Sequence, residues 1–139
     1  VRGYSNHDQG DDMAVLKLYT PLGNSLGYFG YKTYHDSWEG GAYWNLIGYP
    51  LARGGGVIPT RQSGIVVLDD DSDGAGVELE ITADVSGGNS GGPLWAWWGN
   101  SPRIIGTLSG EEYNWDESNN VAAGGPALSK LIKWARNNW

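Results

Sequence analysis

The chain has 139 residues, which is the length of one domain and enough to bury a hydrophobic core. It contains no cysteine, so disulfide bonds and thiolate metal sites are excluded. Its formal net charge of −7 argues against nucleic acid and anionic membranes as partners, because both attract basic surfaces. No apolar run reaches the length of a transmembrane helix. The 23 glycines indicate many turns and favour an all-β fold.

The first predicted element is a largely buried strand over residues 13–18, which follows the acidic pair Asp11 and Asp12. Apolar residues fill positions 13–16, and Leu18 resumes after a lysine. A strand that is apolar on both faces requires neighbours to cover it. A turn and an aromatic strand are predicted over residues 20–31.

Two histidines occur early in the chain. His35 is followed by Asp36 within residues 34–39, which suggests a catalytic pair, but a surface loop is the favoured interpretation of this segment. His7 lies five residues before Asp12 in a short polar segment.

The middle of the chain reads as strands at 46–49, 64–68 and 77–81, with a flexible Gly-Gly-Gly turn at 54–56. Between the last two strands, residues 69–74 read Asp-Asp-Asp-Ser-Asp-Gly. Asp69, Asp71 and Asp73 match the spacing of a calcium-binding loop, with Glu80 at its twelfth position. The flanks are strands instead of helices, so two interpretations stay open: a solvated acidic hairpin tip, which is favoured, and a calcium site.

Residues 87–94 read Gly-Gly-Asn-Ser-Gly-Gly-Pro-Leu and form the most specific motif of the chain. Glycine permits backbone angles that other residues avoid, so a serine in this setting can present its hydroxyl outward. The N–H groups of Gly88 and Ser90 can then point into one small space. This is the geometry of a nucleophile beside an oxyanion hole.

After the motif, residues 94–98 form an aromatic strand with three tryptophans, and residues 99–102 form a turn. A further strand is predicted over residues 103–111, and a polar loop over 112–120. A helix opens at Gly125 and Pro126, because proline is favoured in the first helical turn. Its apolar residues recur at helical spacing: Leu128, Leu131, Ile132 and Ala135.

The serine motif resembles the active-site signature of the chymotrypsin-like serine proteases, Gly-Asx-Ser-Gly-Gly-Pro. Residues 12–18, Asp-Met-Ala-Val-Leu-Lys-Leu, resemble the strand that carries the triad aspartate of that family, while Asp11 lies one residue early. The segments at 20–31 and 46–50 resemble the glutamyl-endopeptidase branch and its secreted relatives. The resemblance implies a secreted serine endopeptidase that needs no cofactor and acts on protein or peptide substrates.

The resemblance also implies a fold and a set of functional residues. The fold is a double β-barrel, of which residues 1–20 supply the end of the first barrel, 21–45 the connection, 46–125 the second barrel and 126–139 a C-terminal helix. Ser90 corresponds to the nucleophile, Asp12 to the triad aspartate, and the N–H groups of Gly88 and Ser90 to the oxyanion hole. The residues that correspond to the substrate pocket are Asp84, Val85, Leu108, Ser109 and Gly110.

Two positions depart from the glutamate-specific relatives, which hold the substrate carboxylate with a hydroxyl residue and a histidine. Val85 and Leu108 stand at those positions here, so we expect poor cleavage after glutamate. Asp84 occupies the place where trypsin-type enzymes select basic residues, although an aspartate there can also be structural.

The family's catalytic histidine has no counterpart in this chain. We therefore expect a two-chain protein, in which a noncovalently bound N-terminal chain of the same precursor supplies that histidine and the missing strands. The alternatives are an inactive homologue that binds a protein or a glycan through residues 95–98, and a nonenzymatic β-sandwich.

Overall fold

The computed structural model describes residues 1–4, 7–113 and 118–139. The secondary structure is mostly β-strand, so the all-β prediction is confirmed. The two helices are α1 (Gly23–Leu26) and α2 (Gly125–Asn138). The strands in chain order are β1 (Arg2–Gly3), β2 (Ala14–Val15), β3 (Gly30–Tyr31), β4 (Trp44–Gly48), β5 (Thr60–Ile65), β6 (Val67–Asp73), β7 (Gly76–Ile81), β8 (Pro93–Trp98), β9 (Ser101–Tyr113) and β10 (Ser118–Gly124).

Seven strands follow the order β5-β4-β8-β9-β10-β7-β6 with antiparallel pairing, and β3 adds to β9 in parallel. Strands β1 and β2 form a separate pair. Within the described residues the two ends of the large sheet, β5 and β6, do not pair with each other. The sheet is therefore not a closed barrel, and the double barrel implied by the family resemblance stays a proposal.

The core lies against the central strands and is filled by large side chains with almost no exposed surface. Trp44 on β4, Leu79 on β7, Leu94 on β8 and Ile105 on β9 are each 0% exposed. These strands are short apolar runs, which is the pattern of strands buried in a core. Burial of this apolar surface is the main favourable term that holds the sheet together.

The predicted C-terminal helix is confirmed as α2. Gly124 precedes it in an extended conformation, and Pro126 lies in its first turn, where the missing N–H costs nothing. Its apolar face packs on the sheet through Ala127, Leu128 and Leu131.

Four sequence expectations are wrong in extent, and two of them concern predicted loops and turns. Within the polar loop expected over residues 112–120, residues 112–113 belong to β9 and residues 118–120 to β10, while residues 114–117 lie outside the described residues. The acidic residues expected at a hairpin tip belong to β6, and the turn comes afterwards at residues 74–75. In both places, pairing with a neighbouring strand satisfies the backbone hydrogen bonds and overrides the polar character of the side chains.

The buried strand expected over residues 13–18 is also wrong in extent. Only Ala14 and Val15 pair with another described strand, β1, and the side chains of Leu16 and Leu18 are 66% and 59% exposed. The aromatic strand expected within residues 20–31 is reduced to Gly30–Tyr31, after the short helix α1. Among the described residues, positions 16–29 form no strand, so the apolar side chains of this segment have no sheet neighbour.

Shortening Leu79 to alanine should destabilise the protein strongly, because the side chain is fully buried and its removal leaves a cavity. We expect Leu79→Ala to lower the free energy of unfolding by about 2–5 kcal/mol. Leu68→Ala on the adjacent strand is the matched control; its side chain is 48% exposed, and we expect a change below about 0.5 kcal/mol. Urea denaturation measures both, and equal losses would contradict the assignment of the core.

Candidate active site

Ser90 lies in the loop that joins β7 to β8, and backbone hydrogen bonds fasten this loop to β9. The Gly91 N–H donates to the Leu108 carbonyl oxygen at 2.8 Å, and the Leu108 N–H donates to the Gly92 oxygen at 2.8 Å. These two bonds place the serine directly beside the middle of a long, well-paired strand. The exposed side chain of Ser90 is therefore presented on a loop whose backbone is fixed.

The backbone conformation requires a glycine at position 88, two residues before Ser90. Gly88 has a φ of +94°, a conformation that residues with side chains rarely adopt. A side chain at Gly88 would also collide with the carbonyl oxygen of Tyr49. Among the backbone hydrogen bonds of the described loop residues, neither the Gly88 N–H nor the Ser90 N–H is a donor, and both residues are exposed.

Ser109 on β9 joins the two motif residues. The Ser90 hydroxyl donates to the Ser109 carbonyl oxygen at 3.3 Å. The Ser109 hydroxyl donates to the Asp12 carboxylate at 2.9 Å, across 97 positions of sequence. The structure thus brings Ser90 and Asp12 to the same residue, and both side chains are exposed.

Asp84 and Val85 line a pocket of about 350 Å³ together with Arg53 and Arg61. The Asp84 N–H donates to the Gln62 amide oxygen at 2.9 Å, which holds the start of the serine loop against β5. The other three residues expected in the substrate pocket do not line this cavity; they lie on β9 and are Leu108, Ser109 and Gly110.

His35 makes local contacts within its own loop. Its Nδ1 atom lies 2.8 Å from the Asp36 carboxylate and accepts a hydrogen bond from the Ser37 N–H at 3.2 Å. None of the contacts described for His35 involves Asp12 or Ser90. His7 is exposed, in the segment that leads to Asp12.

The aspartates expected in a calcium loop are spread along β6 instead. Asp69, Asp71 and Asp73 occupy alternate positions of an extended strand, so about 13 Å of backbone separates the first from the last. The carboxylates that do lie together belong to Glu39, Asp69 and Asp70, whose ligand atoms all fall within 4.8 Å of one another.

Asp11 has a role that the sequence did not reveal. Its carboxylate is buried and accepts hydrogen bonds from the N–H groups of Ala75 and Gly76, at 2.9 and 2.8 Å. The sequence offered it only as a second choice for the triad aspartate. The glycines of the turn at 74–76 were the signal, because they leave room for another segment to approach.

An aromatic pocket of about 370 Å³ lies elsewhere on the surface, lined by Trp38, Tyr43, Ala96, Trp97 and Trp98. Trp97 is 57% exposed, whereas its neighbour Trp95 is buried. The Lys32 ammonium lies 5.3 Å from the ring centre of Trp98, within the range of a cation–π interaction.

Comparison with known proteins gives no relative: no family model matches the chain, and neither a curated protein nor a solved structure matches it. Neither helix of the described part has the length and apolar character needed to cross a membrane.

The Glu39 carboxyl should make stability depend on pH. A hydrogen bond with Asp70 raises the pKa of Glu39, and partial desolvation and nearby negative charges act in the same direction. A carboxyl whose pKa is raised by folding stabilises the protein below its unfolded pKa of about 4.3, and this contribution is lost as the pH rises through the folded value.

We therefore expect the melting temperature of Glu39→Gln to fall less, or rise more, between pH 4 and pH 7 than that of the unmodified protein. Asp71→Asn is the control, because it removes an exposed carboxylate of β6 outside the cluster. Identical pH profiles for Glu39→Gln and the unmodified protein would contradict the assignment.

Proposed function

We propose that this chain is the part of a secreted serine endopeptidase that carries the nucleophile, with the double-β-barrel fold of the chymotrypsin-like family. One observation supports this proposal more strongly than any other. Ser90 and Asp12, which the sequence selected through separate motifs, are linked through Ser109 by hydrogen bonds of 3.3 and 2.9 Å. A nonenzymatic β-sandwich gives no reason for these two residues to meet.

In this proposal the Ser90 oxygen attacks the carbonyl carbon of a peptide bond. A histidine takes the serine proton and then gives it to the leaving amine, while Asp12 orients the histidine and stabilises its cation. The N–H groups of Gly88 and Ser90 stabilise the negative charge on the carbonyl oxygen, at about 3 kcal/mol for each donor. The reaction requires no cofactor.

The histidine belongs to a second polypeptide segment, the N-terminal chain of the same precursor, which binds noncovalently. A surface of large apolar side chains supports this partner. Covering each such side chain contributes about 1.5–3 kcal/mol, so a β-rich segment packed here would be held firmly. The exposed residues are Leu16, Leu18, Tyr19, Leu22, Leu26, Tyr28 and Phe29.

The aromatic pocket favours a second candidate function. A surface tryptophan such as Trp97, beside Trp38 and Tyr43, offers flat faces on which a sugar ring or an aromatic side chain can stack. The alternative is therefore an inactive protease homologue that binds a glycan or a protein through this pocket.

Ser90 should react with a fluorophosphonate in the native assembled protein, because only the folded site activates its hydroxyl. Mass spectrometry of the labelled protein under denaturing conditions identifies the modified residue, and it also reveals any co-purifying segment that carries the histidine. We expect Ser90→Ala to lose labelling and proteolysis, by a factor on the order of 10⁶ in kcat.

Ser72→Ala, which removes an exposed serine of β6, is the control and should keep both properties. Proteolysis retained in Ser90→Ala, or labelling at another residue, would reject the proposed nucleophile. Glycan binding without labelling of the unmodified protein would support the alternative function.

Cleavage preference provides a separate prediction. Val85 and the buried Leu108 offer no hydrogen bond to a substrate carboxylate, so we expect poor cleavage after glutamate. Arg53 and Arg61 line the same pocket as Asp84, so two positive charges face one negative charge, and uncharged residues should be preferred over basic ones. The expectation for glutamate rests on Val85 and Leu108 alone, because this positive lining by itself attracts a carboxylate. Profiling on a peptide library measures this, and a dominant glutamate signal would contradict it.

A further inference from the structure

We propose that Asp11 is a positioning residue, whose buried carboxylate fastens the segment that carries Asp12 to the β6–β7 hairpin and so holds Asp12 at Ser109. This inference rests on the function proposed above, in which Asp12 orients the catalytic histidine.

The Asp11 carboxylate is held by backbone N–H groups. One of its oxygens accepts from both Ala75 and Gly76, at 2.9 and 2.8 Å, and the residue is 7% exposed. The salt bridge between His35 and Asp36 lies in another loop and does not involve the Asp11 carboxylate. A buried carboxylate without hydrogen-bond donors is costly, so the two N–H groups and the carboxylate depend on each other.

A second hydrogen bond runs in the opposite direction. The Gly10 N–H donates to the Asp73 carboxylate at 3.1 Å. The Asp11 carboxylate thus binds N–H groups of the hairpin, and the Asp73 carboxylate of the hairpin binds an N–H group of the segment before Asp12. Two anchors of this kind fix the orientation of the segment as well as its distance from the hairpin.

Glycine is required on both sides of this contact. On the hairpin side, a side chain at Gly76 would collide with the Gly10 carbonyl oxygen, and one at Gly74 would collide with the Asp11 carboxylate. On the other side, a side chain at Gly10 would collide with the Asp73 carbonyl oxygen. Gly74 also has a φ of +68°, which closes the turn between β6 and β7. The close approach of two backbones is thus a feature of the sequence in both segments.

Asp12 lies between two buried residues, Asp11 and Met13, and the Met13 side chain is 4% exposed in the apolar cluster that contains Leu128. Residues Gln9–Asp11 form one turn of 3₁₀-helix, closed by the Asp12 N–H donating to Gln9 at 3.2 Å. Beyond it, β2 has only two residues, both paired with the equally short β1. Two restraints therefore flank Asp12. The burial of Met13 holds one side, and the carboxylate anchor of Asp11 ties the other side to the β6–β7 hairpin, so that the Asp12 side chain meets Ser109.

Loss of the Asp11 anchor should lower kcat while leaving KM nearly unchanged. A displacement near 1 Å in a catalytic group can lower the rate about 100-fold, so we expect Asp11→Ala to reduce kcat by about 10–100-fold with KM within about twofold. A misplaced Asp12 stabilises the imidazolium less, so the acid limb of the pH–rate profile should move to lower pH.

The experiment measures kcat, KM and the acid limb in the assembled protein for Asp11→Ala, Asp11→Asn and Gly76→Ala. Asp11→Asn keeps an oxygen acceptor and should recover most of kcat, whereas Gly76→Ala pushes the segment away without altering the carboxylate and should resemble Asp11→Ala. Asp71→Ala is the matched control, because it removes an exposed charge from the same hairpin and should leave all three quantities unchanged.

A purely structural role would lower the melting temperature of Asp11→Ala but leave kcat per labelled Ser90 and the acid limb unchanged, and this result would overturn the inference. If Asp11→Ala does not fold, Asp73→Ala removes the weaker anchor, and an unchanged kcat in that variant would also overturn it. Failure of the proposed function is seen separately, as absence of Ser90 labelling in the unmodified protein.

Discussion

The pairing of β9 with its neighbours is the constraint on which the rest of the structure depends. This strand has 13 residues and pairs with β8 on one side and β10 on the other, while β3 adds to it in parallel. At Leu108 its backbone departs from β8 and bonds instead to the serine loop, through Gly91 and Gly92. The next residue, Ser109, therefore contacts Ser90 with its carbonyl group and Asp12 with its hydroxyl.

This arrangement explains how a glycine-rich loop can hold the Ser90 side chain in a defined place. Backbone hydrogen bonds connect the loop to Leu108 of β9 on one side and to Tyr49 and Leu51 on the other, and Val85 packs against the core. Preorganisation of this kind matters for catalysis, because donors that are already in position need not reorganise during the reaction.

Much of the fold could be predicted from the sequence, and the errors have a common cause. The apolar strands and the C-terminal helix follow from local periodicity, as Leu79 and Leu128 illustrate. Strand pairing does not, because it depends on residues distant in sequence. The acidic run at 69–73 reads locally as a loop, yet β7 supplies the partners that make it a strand. Ser90 could be selected as a candidate because the glycines beside it form a local motif. The contacts of Asp11 span 64 and 65 positions, and the glycines at 74 and 76 indicate a close approach without identifying the approaching segment.

The contact between Gly10 and the turn after β6 limits which sequence changes the protein can accept during evolution. An acidic hairpin at a surface is ordinarily a place where insertions and side-chain changes accumulate without harm. Here a side chain added at Gly76 meets the backbone of the segment that bears Asp12, and one added at Gly74 meets the Asp11 carboxylate. The two segments must therefore change together. Among homologous proteins, the glycines at 10, 74 and 76 should be retained or replaced jointly. The length of the hairpin should vary less than that of other surface loops.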